Sequence, residues 1–385
     1  MPRWPQRFVL TLTLALICAT LILPAAFSQT PDTDLAFHRA KNLQRGINAS
    51  IWFAQSPQDY TVHRLETFTT ANDIAFMEKL GLDHVRLSID PEPLLPWLRE
   101  PGTVTPFMAE LDKTIHTILA HHLSVIIDIH PESSYKAPLL HGTASVQQFT
   151  SLWRALAAHY ANLDPEHVFF EIMNEPEQDD PFRWQGIEST VAAAIRQVAP
   201  NNTIIAAGAH YSGLDDLMQL QPISQPNVIY TFHDYEPFPF THQGATWTSP
   251  EVRPLRGIPY PSSPEDIAPL LQQEPDLHSQ LFLEDYGLGR WDAARIDSTI
   301  AFAARWSQLH HAPVYCGEFG ALRYFAPPAM RAQWTHDMRV AFEKYNIGWA
   351  MWDYQTNFGL VTKANGTTSP DPAIVTALGL HMPSQ

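Results

Sequence analysis

Short β-branched or aromatic runs alternate with longer stretches of helical spacing along nearly the whole chain. The runs at 46–53, 84–90, 124–130, 168–174, 203–209, 228–235, 313–317 and 348–353 read as strands. Between them, 72–80, 108–121, 146–160, 184–198, 296–310 and 327–344 return apolar residues at three- and four-residue intervals, which predicts helices. Strands that alternate with helices in this way predict an α/β fold, a single-domain (β/α)8 TIM barrel. The competing arrangement, a doubly wound open sheet, carries a glycine-rich phosphate turn after its first strand, and GINASIWF has none. The rhythm breaks from 236 to about 291, a stretch rich in Pro, Asp and Gln with aromatics but no clear period. It follows the sixth strand and so lies on the carboxyl-end face, where it is expected to form a wall of a substrate cleft.

Composition narrows the possibilities. The 385 residues are 45% hydrophobic and 11% aromatic, enough for one large core. With 24 Lys+Arg against 40 Asp+Glu the formal charge is −16, which argues against nucleic acid, a partner that needs a basic stripe. Two cysteines exclude a disulfide-stapled mini-domain. The amino terminus combines Arg3 and Arg7, an apolar stretch from Phe8 to Leu23 and a small-residue site at Ala26-Phe27-Ser28. We read 1–28 as a signal peptide and 29–385 as the catalytic barrel, exported to a periplasm or beyond the cell. A stable membrane anchor is not expected, because that stretch falls short of the roughly 20 residues a span requires. Cys18 follows Ile17 rather than a small residue, so lipid attachment is not expected either. Cleavage leaves Cys316 as the sole cysteine, with no intramolecular disulfide. No linker or repeat divides the chain, and a monomer is the default. Three sequons occur at Asn48, Asn201 and Asn365, of which Asn48 falls in the first strand and is not expected to be modified.

In a barrel, side chains at the carboxyl ends of strands carry chemistry. Here those ends hold Arg86, His130, Asn174-Glu175-Pro176, His233-Asp234-Tyr235, Gly317-Glu318-Phe319-Gly320 and Trp352-Asp353. A polar row of this kind is costly to bury unless it faces a solvated pocket. It includes two glutamates, on strands four and seven, aimed into one mouth from opposite sides. Opposed carboxylates are what glycosidic-bond hydrolysis needs, one to donate a proton and one to act as nucleophile or base.

These residues sit in stretches that resemble glycoside hydrolase family 5, the cellulase family of the retaining (β/α)8 clan. The matching pieces are RGINASIWFAQ (45–55), HVRLSID with Arg86, IIDIH ending at His130, EIMNEP (171–176), YTFHDYEPFPFTHQGATW (230–247), VYCGEFG (314–320) and GWAMWDY (348–354). They fall in order from first strand to last. The resemblance implies that Glu175 is the general acid/base and Glu318 the nucleophile that forms a covalent glycosyl-enzyme. It implies that Asn174 bonds the sugar 2-hydroxyl, and that Arg86 and Tyr235 hold the nucleophile ionised and aimed. His130 and His233 would line the subsite of the cleaved sugar, with Trp352 as its stacking floor. No cofactor and no metal are implied.

Plainer roles compete with each assignment. Glu171 and Glu177 flank Glu175; Glu171, four residues back and about 13 Å down the barrel at strand rise, reads as a partnered interior or lower-face residue. Trp52 and Trp247 are either further sugar platforms or packing residues. Cys316 shares the strand parity of Glu318, but without an oriented histidine it reads as a small buried hydrophobe. Against the commoner family pattern, Pro131 follows His130 where a histidine or polar pair is frequent, and Ile51 precedes Trp52 where a polar residue is frequent. The segment from about 250 to 291 matches none of these motifs. A metal-dependent hydrolase could use Asp128-x-His130, but no further ligand pair stands at a strand end to complete the site. A non-catalytic glycan-binding barrel would have lost a carboxylate, and both are present. The expected substrate is β-1,4-glucan, with mannan, xyloglucan or mixed-linkage glucan as the alternatives that the same site serves.

Overall fold

The computed structural model describes residues 31–100 and 103–382. The segment read as a signal peptide lies outside these residues; among the described ones, no helix is long and apolar enough to cross a membrane. Eight parallel strands close into a barrel: β1 (Arg45–Phe53), β2 (His84–Ile89), β3 (Ser124–Ile129), β4 (Val168–Glu171), β5 (Thr203–Ala207), β6 (Val228–His233), β7 (Val314–Phe319) and β8 (Gly348–Met351). The ring is completed by β1 on β8, with Gly46 opposite Ala350 and Ile47 opposite Met351. Every expected strand is present, and so are the six expected helices, each within a few residues of its sequence bounds.

Four of the six expected helices start on a side-chain cap. Thr70, Thr105, Asp180 and Asp292 accept backbone N–H groups of the first turns that follow them, and Thr70 with Asp73 completes a reciprocal capping box.

Strand alternation sorts the core into layers. Outward-facing residues such as Val125, Ile127, Phe170, Ile204 and Phe232 pack beneath the helices. Inward, Leu43, Ile126, Phe169, Ile205, Ile229, Tyr315 and Ala350 form an apolar plug at the barrel floor. Two residues further along β3 and β4 the same face carries Asp128 and Glu171, which lie opposite each other in register. Asn48 and Arg86 are paired likewise across β1 and β2. A fully buried polar layer therefore rests directly on the plug, below the carboxyl-end mouth.

The 236–291 stretch is only partly what its sequence led us to expect. Its first third lines the cleft, through Glu236, Phe238, His242, Trp247, Thr248 and Ser249. The rest packs behind that wall and contains the helices Pro264–Leu271 and Leu277–Gly289. Both escaped a periodicity reading. Pro269 interrupts the first, and the second spreads its apolar residues all round, with Leu283 and Tyr286 buried while Leu277, Leu281 and Leu288 are exposed.

Candidate active site

The site is organised around Arg86, which is wholly inaccessible to solvent. Its Nε and Nη2 donate to the two carboxylate oxygens of Glu171 at 2.8 and 2.7 Å. Nη1 donates to Glu318 Oε1 at 2.7 Å and to Asn48 Oδ1 at 2.9 Å, and Nη2 also reaches Asn174 Oδ1 at 3.0 Å. Asp128 Oδ2 lies 3.1 Å from the same Nη2. One planar cation thus fixes side chains from β1, β3, β4 and β7 at once, a task that suits the forked geometry of guanidinium. Burial disfavours its charge, but Asp128, Glu171 and Glu318 more than compensate and raise its pKa.

Glu318 reaches this centre through an irregularity in the sheet. Regular alternation on β7 would turn it away from Tyr315, which faces the plug, toward the outward Cys316 side. Between β6 and β7, however, the register shifts, so that Phe232 pairs with Cys316 but His233 pairs with Glu318. A bulge of this kind re-aims one side chain, and here it turns Glu318 inward while Cys316 stays outside in the helix-facing core. The shared parity expected of Cys316 and Glu318 is therefore corrected; Cys316 itself is buried and free, as expected of a small hydrophobe. The adjoining Gly317 is required, because a Cβ there would come within 2.7 Å of Thr231 Oγ1 and 3.2 Å of His233 Nε2.

Glu175 arrives differently. β4 leaves the ladder after Glu171, three residues earlier than its sequence indicates, and Ile172 and Met173 turn into the outer core. Asn174 then rejoins through its N–H on the Ile129 carbonyl, and Glu175 adopts φ 41°, in the left-handed region. The early departure also corrects the depth expected for Glu171. It shares Arg86 with Glu318, so it lies directly under the cleft rather than far down the barrel.

The two glutamates face each other across His233. Its Nδ1 lies 2.9 Å from Glu175 Oε1 and 3.7 Å from Glu318 Oε2. The three ligand atoms of Glu175, His233 and Glu318 all fall within 4.8 Å of one another. Tyr235 donates its hydroxyl to Glu318 Oε2 at 2.8 Å, so each oxygen of this carboxylate has its own donor. Burial raises the pKa of Glu175, while the Lys136 ammonium foremost, with the Arg86 guanidinium, pulls it back. Burial pushes His233 down to about 4 and His130 down to about 3, so both rings are neutral at neutral pH. His130 Nδ1 is 2.9 Å from Asp128 Oδ2, and its ring lies nearly parallel to that of Trp352, with centroids 5.6 Å apart. Asp128 and His130, considered above as a ligand pair, thus bond to each other.

Of the ten residues singled out in the sequence, His130, Asn174, Glu175, His233, Tyr235, Glu318 and Trp352 line one cleft of ≈ 1360 Å³, and Arg86, itself wholly buried, lies beneath it and bonds to Glu318. Trp247 lines the same cleft and is 57% exposed, with its ring 6.5 Å from that of Phe358. Trp52 does not join them. It is buried, donates its indole N–H to the Leu65 carbonyl at 2.7 Å and packs against Phe53, because the last residues of β1 turn it under the helix Val62–Phe68. The platform reading of Trp52 is therefore withdrawn. Trp52→Phe is expected to lower stability by about 1–3 kcal/mol through the orphaned carbonyl, with KM unchanged. Trp247→Ala is expected to raise KM about threefold to tenfold, the value of one lost aromatic contact, with the thermal midpoint unchanged. Initial rates and thermal melts of the two variants check both expectations.

Sequence reasoning missed the hub role of Asn48, Asp128 and Glu171, and it missed Lys136, Tyr211, His242 and Phe358 in the cleft wall. The first three carried a signal, since each is a polar residue at inward parity within a strand. The others carried none, because a lone lysine or aromatic between two strands looks the same whether or not a cleft lies beside it.

A (β/α)8 barrel whose carboxyl-end cleft sets two facing glutamates over a buried arginine has the architecture of a glycoside hydrolase. Comparison with known proteins agrees. Residues 44–358 match the family described as Cellulase (glycosyl hydrolase family 5), and the chain belongs to it. It is 28% identical to endoglucanase C of Acetivibrio thermocellus over 324 residues, which cover 82% of this chain and 92% of that one. It is 26% identical to cellodextrinase A of Ruminococcus flavefaciens over 318 residues, covering 80% and 84% of the two chains. Among solved structures, Thermotoga maritima Cel5A in complex with cellobiose superposes with a TM-score of 0.70 at 26% identity, covering 89% of this chain and 99% of that one. The same enzyme in complex with mannotriose gives 0.69 at 26% identity, with the same coverage.

Proposed function

We propose that the protein is an exported, monomeric endo-β-1,4-glucanase that works by double displacement with retention at the anomeric carbon. The observation that carries this reading is the approach of the Glu175 and Glu318 carboxylate oxygens to within 4.8 Å. Carboxyl groups about 5–5.5 Å apart belong to retaining enzymes, whereas inverting pairs stand about 6.5–9.5 Å apart to admit a water.

The remaining contacts fit the two steps. Glu318, held by Arg86 and Tyr235 on separate oxygens, attacks the anomeric carbon as the glycosidic bond breaks. Glu175, whose pKa burial raises, gives its proton to the departing sugar oxygen. Water then displaces Glu318 from the glycosyl-enzyme and loses its proton to Glu175. Asn174 contributes through its fixed orientation: Arg86 occupies its Oδ1, which leaves its amide N–H groups for the sugar 2-hydroxyl. Trp352, backed by His130, offers an apolar face to the same sugar.

Support for β-glucan as substrate comes from the endoglucanase and cellodextrinase relatives and from the cellobiose complex of the Thermotoga enzyme. The mannotriose complex of that enzyme favours β-mannan as a second reading. Release of reducing sugar from a panel of hydroxyethyl-cellulose, mixed-linkage glucan, xyloglucan, mannan and xylan tests both. Activity on the glucans, absent from Glu318→Ala, is the expected result, and activity confined to mannan would overturn the first reading. Glu175→Ala is expected to lose about 10²–10⁴-fold on cellotetraose, yet to form the glycosyl-enzyme at nearly the wild-type rate from a dinitrophenyl cellobioside, whose leaving group needs no proton. Equal losses on both substrates would exclude Glu175 as the acid.

A further inference from the structure

The proton donor sits on a backbone that needs holding. Glu175 and Glu177 both adopt left-handed conformations, with φ 41° and 56°, which cost a non-glycine residue about 1 kcal/mol or more each. Such a turn persists only where its surroundings fix it. On one side Glu177 donates its N–H to the His210 carbonyl at 2.6 Å, and His210 donates to the Gln178 carbonyl at 3.1 Å. On the other side the helix Ser133–His141, which follows β3, supplies two donors to one oxygen: Ser133 Oγ and Lys136 Nζ each lie 2.9 Å from Glu177 Oε1.

Lys136 is unusual in its own right. Its side chain is only 5% exposed, yet it lines the cleft that holds Glu175, and among the described residues it is the sole lysine or arginine lining that cleft. A desolvated ammonium so placed acts over short range with little screening. Glu177 tempers it, since the pair is neutral as a whole while its positive end stands in the cleft wall.

We propose that Lys136 and Glu177 form a clamp that positions Glu175 and sets the pH range over which it holds its proton. Neither touches the reacting atoms, so both are positioning residues. The proposal rests on the reading of Glu175 as the acid/base. Other charged and titratable groups also face Glu175: Arg86 from β2, His130 from β3, Tyr211 from the β5 exit, His233 and Tyr235 from β6, and Glu318 from β7. None of these bonds to Glu177, so the clamp can be varied while they stay in place.

The pH dependence of kcat/KM on cellotetraose provides the test, because its high-pH limb reports loss of the proton from the acid. Lys136→Met removes the cation and is expected to move this limb up by about one pH unit. Lys136→Arg keeps the charge and is expected to restore it. Glu177→Gln, nearly isosteric and least disruptive to folding, frees the cation and is expected to move the limb down. On β-cellobiosyl fluoride, whose departure needs little protonation, all three variants are expected to stay within about twofold of wild type at the optimum. A limb that stays put in Lys136→Met and Glu177→Gln, or that moves the same way in both, would overturn the clamp. Glu175→Ala separates this from failure of the underlying reading: if the high-pH limb survives there, Glu175 is not the acid, whatever the clamp variants do.

Discussion

Glu318→Ala is expected to lose more than about 10⁴-fold in kcat on every glucan, because it removes the carboxylate proposed above to form the covalent intermediate. The loss should be chemical rather than structural. Removing Glu318 takes away one of the carboxylates that crowd Arg86 and leaves Glu171 and Asp128 to balance it, so the thermal midpoint is expected to hold or rise. Azide tells the two glutamates apart. In Glu318→Ala it can occupy the vacated space and attack an activated donor such as β-cellobiosyl fluoride directly, displacing fluoride in one inversion to give the α-glycosyl azide. In Glu175→Ala the glycosyl-enzyme on Glu318 still forms, and azide takes the place of water in a second inversion to give the β-azide. Nuclear magnetic resonance of the two products decides the matter, and the same anomer from both variants would overturn the role assignment.

Arg86→Met is expected to abolish activity and also to cost about 3–5 kcal/mol of stability, which places it among the most disruptive single changes in the molecule. Methionine fills similar volume but leaves Glu171, Asp128 and Glu318 buried with no cation between them. The pH dependence has a definite sign. Burial already pushes Asp128 up to about 6 even with Arg86 pulling it down, above the unfolded value of about 3.9. A carboxyl whose pKa is higher in the folded state favours folding at low pH and loses that contribution as pH rises through the folded pKa. Without Arg86 the pKa values of Asp128 and Glu171, which it pulls down, climb further, so the deficit relative to wild type should be smallest near pH 4 and grow toward neutrality. Denaturant titrations at several pH values measure it. The double variant Arg86→Met/Glu171→Gln is expected to regain part of the stability and none of the activity, which would separate the structural role of the cation from its role in holding Glu318.

The alternation of short strands with amphipathic helices determined the barrel, because burial in a (β/α)8 fold imposes local periods that a chain displays residue by residue. Strand ends were legible for the same reason, and with them came Glu175, Glu318 and most of the residues now found around them. Where the sequence misled, the cause was non-local. Trp52 sits at the end of a strand like any platform residue, and only the helix that follows β1 buries it. The helix Leu277–Gly289 has apolar residues on every side, because its neighbours rather than its own pattern decide which of them are covered. Glu318 faces inward only because β7 slips against β6, a register that neither strand encodes alone. The same holds for the centre of the site. Asn48, Asp128, Glu171 and Glu318 lie far apart in the chain, and ring closure brings all four onto Arg86, whose single cation then holds them in one layer.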